Sequence, residues 1–99
     1  MAEGECTAIV AYKVNAEDVD RFFDAWDQAN EHLSQQPGFV SNTLHRAVSA
    51  NPEFRFVNIA RWEDEDSFRA ATRSGAFAEA SGRLAAYPLH AAVYEAVRT

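Results

Sequence analysis

Residues 56–62 alternate between two kinds of side chain, and this alternation indicates a β-strand. One face of this strand carries Phe56, Asn58, Ala60 and Trp62. An amide and an indole N–H on this otherwise apolar face need hydrogen-bond partners, because an unpaired buried polar group is costly. Either the protein or a ligand supplies those partners, and this choice is the functional question that the sequence raises.

Hydrophobic periodicity predicts the other elements of the chain. Four strands are expected at residues 6–14, 39–47, 54–62 and 90–97. A helix is expected from an N-cap at Asn15 to about Ser34, because apolar residues recur there at spacings of three and four. Asp64 is expected to cap a shorter helix, which Ser74 and Gly75 separate from a further helical stretch near residues 77–84.

This order, β-α-β-β-α-β, predicts an α+β fold of the ferredoxin-like type, with helices on one face of an antiparallel sheet. We expect one domain over residues 1–99, with residues 1–5 flexible. The other sheet face is expected to carry uncovered apolar side chains, namely Ile9, Ala11, Val57, Ile59, Val93 and Val97. A chain of this size has nothing left to cover them, which predicts a face-to-face homodimer.

Charge and composition exclude several classes of partner. The net charge of −6 argues against nucleic acid and anionic membranes as partners. No apolar run approaches the ~18 residues that a membrane span needs. The acidic start of the chain, residues 1–5, lacks the basic and apolar regions of a signal peptide, so a cytoplasmic location is expected.

Cysteine and histidine usage predicts that no metal is bound. Cys6 is the single cysteine, which excludes an internal disulfide and a thiolate zinc cluster. Cys6 is either a nucleophile or, as we prefer, a small buried strand residue. His32, His45 and His90 form no closely spaced pair, so a metal site would have to assemble from distant segments.

Three segments of the chain resemble the antibiotic biosynthesis monooxygenase family, whose members are dimeric α+β barrels. They are Phe22-Phe23-Asp24-Ala25-Trp26, then Gln36-Pro37-Gly38-Phe39-Val40 with Leu44-His45-Arg46, and Phe56 to Asp64 followed by Phe68. The resemblance extends from about Cys6 to Val97 and implies a ligand pocket inside each subunit, between sheet and helices. In members that oxidise anthrone-type polycyclic aromatics to quinones, a strand asparagine and tryptophan line this pocket, and they correspond to Asn58 and Trp62.

The resemblance also implies oxidation by O2 without metal, flavin or haem, and the sequence has no GxGxxG nucleotide fingerprint. Asn58 and Trp62 would donate hydrogen bonds to the developing oxyanion of a small aromatic substrate. His45, expected opposite Phe56, is a candidate general base. The residues expected to wall the pocket are aromatic, with Phe22, Trp26, Phe39, Phe56, Phe68 and Phe77 foremost among them.

Each of these assignments has an alternative. Asn58 could bond across the hairpin to Thr43, Trp62 could bond to a helix carbonyl, and the aromatic residues could be core. His45 could be an ordinary wall residue, and no role is carried onto Arg83 or Tyr87 near the pocket mouth. Haem-degrading relatives have a ligating histidine and an asparagine where this chain has Ser81 and Val10, which disfavours haem degradation. A non-catalytic, small-molecule-binding dimer remains a further hypothesis.

Overall fold

The computed structural model describes residues 5–99. The expectation of flexibility for residues 1–5 falls, apart from Glu5, outside the described residues. The strands are β1 (Cys6–Tyr12), β2 (Phe39–Arg46), β3 (Phe56–Trp62) and β4 (Leu89–Tyr94). The helices are α1 (Val19–Leu33), α2 (Glu65–Arg73) and α3 (Gly75–Ala80), with single 3-10 turns at Ala16–Asp18 and Leu84–Ala86.

The four strands form one antiparallel sheet in the order β2-β3-β1-β4. This is the ferredoxin-like α+β arrangement predicted from the element order. β1 and β3 lie at the centre, and β2 and β4 form the two edges. All four strands are shorter than predicted: β1 ends at Tyr12 and β2 at Arg46, β3 begins at Phe56, and β4 ends at Tyr94.

Side-chain caps fix where the two helices after β3 begin. The carboxylate of Asp64 accepts a 2.7 Å hydrogen bond from the backbone N–H of Ser67 at the start of α2. This bond lowers the pKa of Asp64, because it favours the charged form. The hydroxyl of Ser74 accepts a 3.0 Å hydrogen bond from the N–H of Phe77 at the start of α3. None of the helices in residues 5–99 is long and apolar enough to cross a membrane.

The core lies between the sheet and the helices, and aromatic side chains dominate one end of it. α1 buries its apolar stripe there, with Phe22 fully enclosed. The ring of Phe22 stacks on that of Phe56 at 4.8 Å and meets the edges of Tyr12 and Tyr87 at 5.1 and 5.2 Å. Trp62 lies at the other end of the sheet, where Cys6 is also buried and burial raises the pKa of its thiol. Cys6 is therefore the buried strand residue that we preferred.

A β-bulge in β2 changes the predicted register. Phe39 lies opposite Trp62, but the pairing shifts by one residue between Phe39 and Ser41. Leu44 consequently lies opposite Asn58, and His45 lies opposite Val57 rather than Phe56. An extra residue in one strand moves every following side chain to the other face. The predicted pairings of His45 with Phe56 and of Thr43 with Asn58 are therefore wrong.

The sheet face that points away from the helices, here called the open face, carries an apolar centre bordered by polar and charged side chains. Its central side chains are Ile9, Ala11, Val57, Ile59 and Ala92, as the strand register requires. Val93 was predicted on this face, but it lies opposite Ala8 and packs into the core. Val97 follows the end of β4 and is exposed.

Gly38 is a position where substitution should damage the fold. It lies just before β2 with a φ of +87°, and a Cβ atom there would come within 2.4 Å of the Ser67 side chain. We expect Gly38→Ala to lower the free energy of unfolding by about 1–3 kcal/mol in urea denaturation. Gly75→Ala is the matched control, because nothing lies within 4 Å of its added Cβ. Equal loss in both variants would contradict this explanation.

Candidate active site

β3 presents the side chains of Asn58 and Trp62 to the interior, as its alternation predicts. Phe56, Asn58, Ala60 and Trp62 are all at least 95% buried on the helix-facing side. Asn58 lies between Val10 on β1 and Leu44 on β2. Trp62 lies between Cys6 and Phe39, at the far end of the strand.

Two polar atoms on this face have no protein partner in residues 5–99. Asn58 Oδ1 and Trp62 Nε1 are both buried and make no hydrogen bond. The register places Thr43 opposite Ile59, on the open face, so the alternative partner for Asn58 is wrong. No helix carbonyl accepts from Trp62 either. Buried polar atoms are nearly always paired, so these two indicate groups that a bound molecule would satisfy.

A cavity of about 350 Å³ lies next to these two residues, between the β1–β4 half of the sheet and the α2–α3 segment. Its wall includes Val10, Tyr12, Phe68, Thr72, Phe77 and Leu84. Val10 is the direct neighbour of Asn58, and the ring of Phe68 lies 5.7 Å from that of Trp62. Asn58 and Trp62 thus lie immediately behind the cavity wall rather than in it.

The cavity wall is neutral. Tyr12 is its one residue with a phenol, and burial raises the pKa of that phenol to about 12. Tyr12 therefore stays protonated at neutral pH and is a hydrogen-bond donor. The lining contains no carboxylate, histidine or lysine among the described residues. A ligand in this cavity would therefore contact no carboxylate, histidine or lysine of the described lining.

The six aromatic residues predicted to wall a pocket separate into distinct groups. Phe68 and Phe77 line the cavity. Phe22 and Phe56 stack on each other in the core, and half-buried Trp26 packs against the same cluster. Phe39 packs edge-on against Trp62, with ring centroids 5.4 Å apart.

The structure does not bring His45 together with Asn58 and Trp62. His45 is exposed on the open face, on the opposite side of the sheet from the cavity. Tyr87 packs against Phe22, and Arg83 is exposed. His32 has a buried Nε2 with no hydrogen-bond partner among residues 5–99, and its ring lies beside that of Phe77, with centroids 6.4 Å apart.

Comparison with models of known protein families shows to which family this chain belongs. The family model described as "Antibiotic biosynthesis monooxygenase" matches residues 6–83, which is most of the chain. The chain belongs to this family. The resemblance found in the sequence is thereby confirmed, and monooxygenase is the class of activity that the comparisons support. A comparison with curated protein sequences found no match.

Solved structures of this family and fold resemble the chain over nearly its whole length. SnoaB from Streptomyces nogalater, a cofactor-independent oxygenase, is 28% identical with a TM-score of 0.82, covering 97% of this chain and 96% of its own. A Shewanella loihica PV-4 protein assigned as a monooxygenase is 26% identical with a TM-score of 0.84, covering 97% of both chains. A dimeric ferredoxin-like protein of unknown function from Bacteroides fragilis NCTC 9343 is 15% identical with a TM-score of 0.74, covering 96% and 99%, and shows the fold alone.

The sequence reasoning missed Tyr12 and Thr72 as polar residues of the cavity, and it considered Ser81 only as the position compared with a haem ligand. Tyr12, Thr72 and Ser81 line the cavity, and Thr72 donates a 2.9 Å hydrogen bond to the backbone carbonyl of Phe68. The period-two pattern of β1 could have identified Tyr12, because Val10 and Tyr12 share a face. Thr72 and Ser81 follow from no sequence pattern, since their positions depend on how α2 and α3 pack.

The cavity of this monooxygenase-family chain offers a haem no histidine, cysteine or methionine ligand among its described lining residues, and the phenol of Tyr12, whose pKa burial raises to about 12, is protonated at neutral pH. Val10 and Ser81, the positions compared with haem-degrading relatives, both line the cavity. Neither supplies a nitrogen or sulfur donor, and nor does any other described residue of the lining. Within residues 5–99 of one chain, no three metal-ligating side chains come together either.

Proposed function

We propose that this protein is a cofactor-independent monooxygenase that oxidises a polycyclic phenolic substrate of the anthrone type to a quinone with O2. The observation that carries the proposal is the pair of buried, unpartnered atoms, Asn58 Oδ1 and Trp62 Nε1, behind a neutral and mostly apolar cavity. Family membership supports the reaction class, and the cavity favours an apolar ligand that carries hydrogen-bonding groups.

The unpartnered atoms call for a ligand with both kinds of hydrogen-bonding group. Asn58 Oδ1 accepts a hydrogen bond, whereas the Trp62 indole donates one. A molecule that carries a phenolic hydroxyl and a carbonyl satisfies both. The two residues lie four positions apart on one strand face, about 13 Å along the strand, which suits the two ends of a tricyclic molecule. Phe68 and Phe77 offer their rings to its flat faces.

The lack of a protein base in the described cavity wall supports this choice of substrate class. A phenolic anthrone is acidic at its ring CH2 and forms a carbanion without one. The carbanion transfers one electron to O2, and the resulting radical combines with superoxide to form a peroxide. The peroxide then loses water, so that the CH2 carbon becomes a carbonyl and the second oxygen atom leaves as water.

Asn58 and Trp62 are proposed to act on the negative charge that this sequence of steps develops. Once side chains of the wall in front of them move aside, the Asn58 amide N–H and the Trp62 indole N–H stabilise the oxyanion of the ionised substrate, and the mostly apolar lining strengthens these bonds. Tyr12, whose phenol stays protonated, contributes a third donor at the cavity wall. His45 has no part in this site, because it lies on the other sheet face.

Oxygen consumption tests the proposal. Purified protein, treated with a chelator, is mixed with a panel of anthrones and quinols in an oxygen electrode. We expect uptake of one O2 for each phenolic anthrone oxidised, above the rate in buffer alone. Ligand binding without any oxygen uptake would instead favour the non-catalytic binding protein, and overturn the proposal.

We also propose that the protein is a homodimer paired through the open face. Each face measures about 23 Å by 19 Å, so pairing two copies would bury about 900 Å² of total surface if both faces were flat. This is close to the about 1,000 Å² that a specific interface requires. Ile59 is 38% exposed there in the single chain. A protein with the same fold from Bacteroides fragilis is dimeric, so the fold is compatible with such pairing.

Ile59→Asp is expected to abolish this dimer, because a lone carboxylate in an apolar interface is not compensated. Light scattering of the parent protein should give about twice the 11.0 kDa chain mass. The variant should give a monomer or an unfolded chain. Thr99→Asp, at the exposed C-terminus, is the control and should keep the parent mass. A folded parent monomer at micromolar concentration would contradict the dimer.

A further inference from the structure

The open face arranges its side chains in rows that run across the four strands. One row consists of His45, Val57, Ala11 and His90, as the three strand pairings require. His45 and His90 thus stand at the two ends of a single row, on the two edge strands. Three strand spacings, about 14 Å, separate their backbones, so they cannot share one ion within a chain.

A two-fold axis parallel to the strands brings these histidines together between two copies. Such an axis, placed between β1 and β3, sets each row against itself and β2 against the partner's β4. Large side chains then meet small ones: Val57 faces the partner's Ala11, and Tyr94 faces the partner's Ser41. Ile59 faces the partner's Ile9, which continues the apolar centre.

The other two-fold arrangement of the same faces is less complementary. An axis perpendicular to the strands sets each strand against its own copy and exchanges the outer rows. Arg61, whose guanidinium bonds to Glu5, would then lie over the partner's Val57. Placing a charged group against an apolar one is unfavourable, so the parallel axis is the better fit.

We propose that the dimer binds a divalent transition-metal ion of the Zn²⁺ or Ni²⁺ type at each edge, between His45 of one subunit and His90 of the partner subunit. This inference rests on the homodimer proposed above. Packed sheets lie about 10 Å apart, and an imidazole from each side reaches nearly to the mid-plane. Two metal–nitrogen bonds of about 2.0–2.1 Å then span the gap between the two imidazole rings, and water fills the other coordination positions of the metal.

The surroundings of both histidines permit a cation. Beyond the strand ends, Lys13 lies two residues after Ala11 and Arg55 lies two residues before Val57, so strand alternation places both near these histidines on the open face. Each is engaged elsewhere: Lys13 Nζ lies 3.6 Å from the Glu53 carboxylate, and Arg55 Nε donates to the Val14 carbonyl at 2.9 Å. In the next row toward the middle of the open face, the neighbours of His45 and His90 are Thr43 and Ala92, which are small and uncharged. Imidazole nitrogen is a preferred ligand of zinc and nickel.

Calorimetry and sedimentation with Zn²⁺ test the site on the metal-stripped full chain. We expect calorimetry to show two ions bound per dimer. Sedimentation should show a dissociation constant of the dimer that is at least tenfold lower when Zn²⁺ is present. His45→Ala and His90→Ala should each abolish both effects. His32→Ala, on α1, is the matched control and should retain them. Zinc binding that survives both single variants, or no zinc binding by the parent dimer, would overturn the proposal.

A mixture of the two variants tests whether the site lies between subunits. In a mixed dimer of His45→Ala and His90→Ala chains, one edge keeps both histidines and the other keeps neither. The equimolar mixture should therefore regain zinc binding, at about one ion per mixed dimer. A mixture that stays inactive, while light scattering shows dimers, would overturn the inter-subunit site and leave the dimer and the oxidation chemistry untouched.

Discussion

Asn58→Ala is expected to lower the turnover of a phenolic anthrone by about 10²–10³-fold, the usual effect of losing one donor to a developing oxyanion. Binding of the substrate should change much less, because the amide acts mainly on charge that develops after binding. Steady-state oxygen uptake separates the two effects through kcat and KM. Folding should be little affected, since Asn58 Oδ1 has no protein partner to lose.

Trp62→Phe is the companion variant, because it keeps an aromatic ring and deletes the unpartnered indole N–H. It should reduce kcat in the same direction while the protein stays folded by circular dichroism. If both variants oxidise the substrate at the parent rate, Asn58 and Trp62 are structural residues and the proposed site is wrong.

Phe22→Ala is expected to lower the free energy of unfolding by about 3–5 kcal/mol, the cost of deleting a large buried aromatic side chain. The Phe22 ring is fully buried and contacts Tyr12, Phe56 and Tyr87. Its loss would leave a cavity that three further rings border. Urea denaturation followed by circular dichroism measures the change.

Phe54→Ala is the matched control for that experiment. Phe54 lies in the loop before β3, half-buried, with Lys13 Nζ 5.6 Å from its ring centroid. Its truncation opens no enclosed cavity, so the loss should be well below half that of Phe22→Ala. Similar losses in the two variants would show that the Phe22 cluster is not the main core.

Much of the fold is predictable from this sequence, because most local signals agree with the tertiary structure, although Asn15 makes no cap hydrogen bond and α1 begins at Val19. The alternation over residues 56–62 places Asn58 and Trp62 on the interior face, where the structure has them. The cap at Asp64 forms its predicted hydrogen bond. These signals are local: each depends on residues within one strand or one turn.

Strand register depends on two distant segments, and a shift in it explains why the prediction that His45 lies opposite Phe56 is wrong. The predicted pairing of β2 with β3 agrees with the observed contact of Phe39 with Trp62. One bulged residue then moves His45 to the open face. Val93 illustrates a second limit, since β4 is apolar on both faces and its periodicity does not say which face is interior.

The candidate site is predictable only in part for the same reason. Asn58 and Trp62 stand out because they are polar residues on an apolar strand face. The cavity beside them depends on where α2 and α3 pack over β1 and β4, which no period in the sequence specifies. Thr72 therefore emerges from the structure alone.

Oxidation under ¹⁸O2 tests the central claim, oxygenation without a cofactor, most directly. The chelator-treated protein, free of flavin and haem by its absorption spectrum, is given a phenolic anthrone, and the product is analysed by mass spectrometry. We expect a quinone with one ¹⁸O atom at the former CH2 carbon, formed at an enzyme-dependent rate that Asn58→Ala suppresses. Enzyme-dependent product without ¹⁸O, or activity that returns only when a metal or flavin is added, would contradict the account.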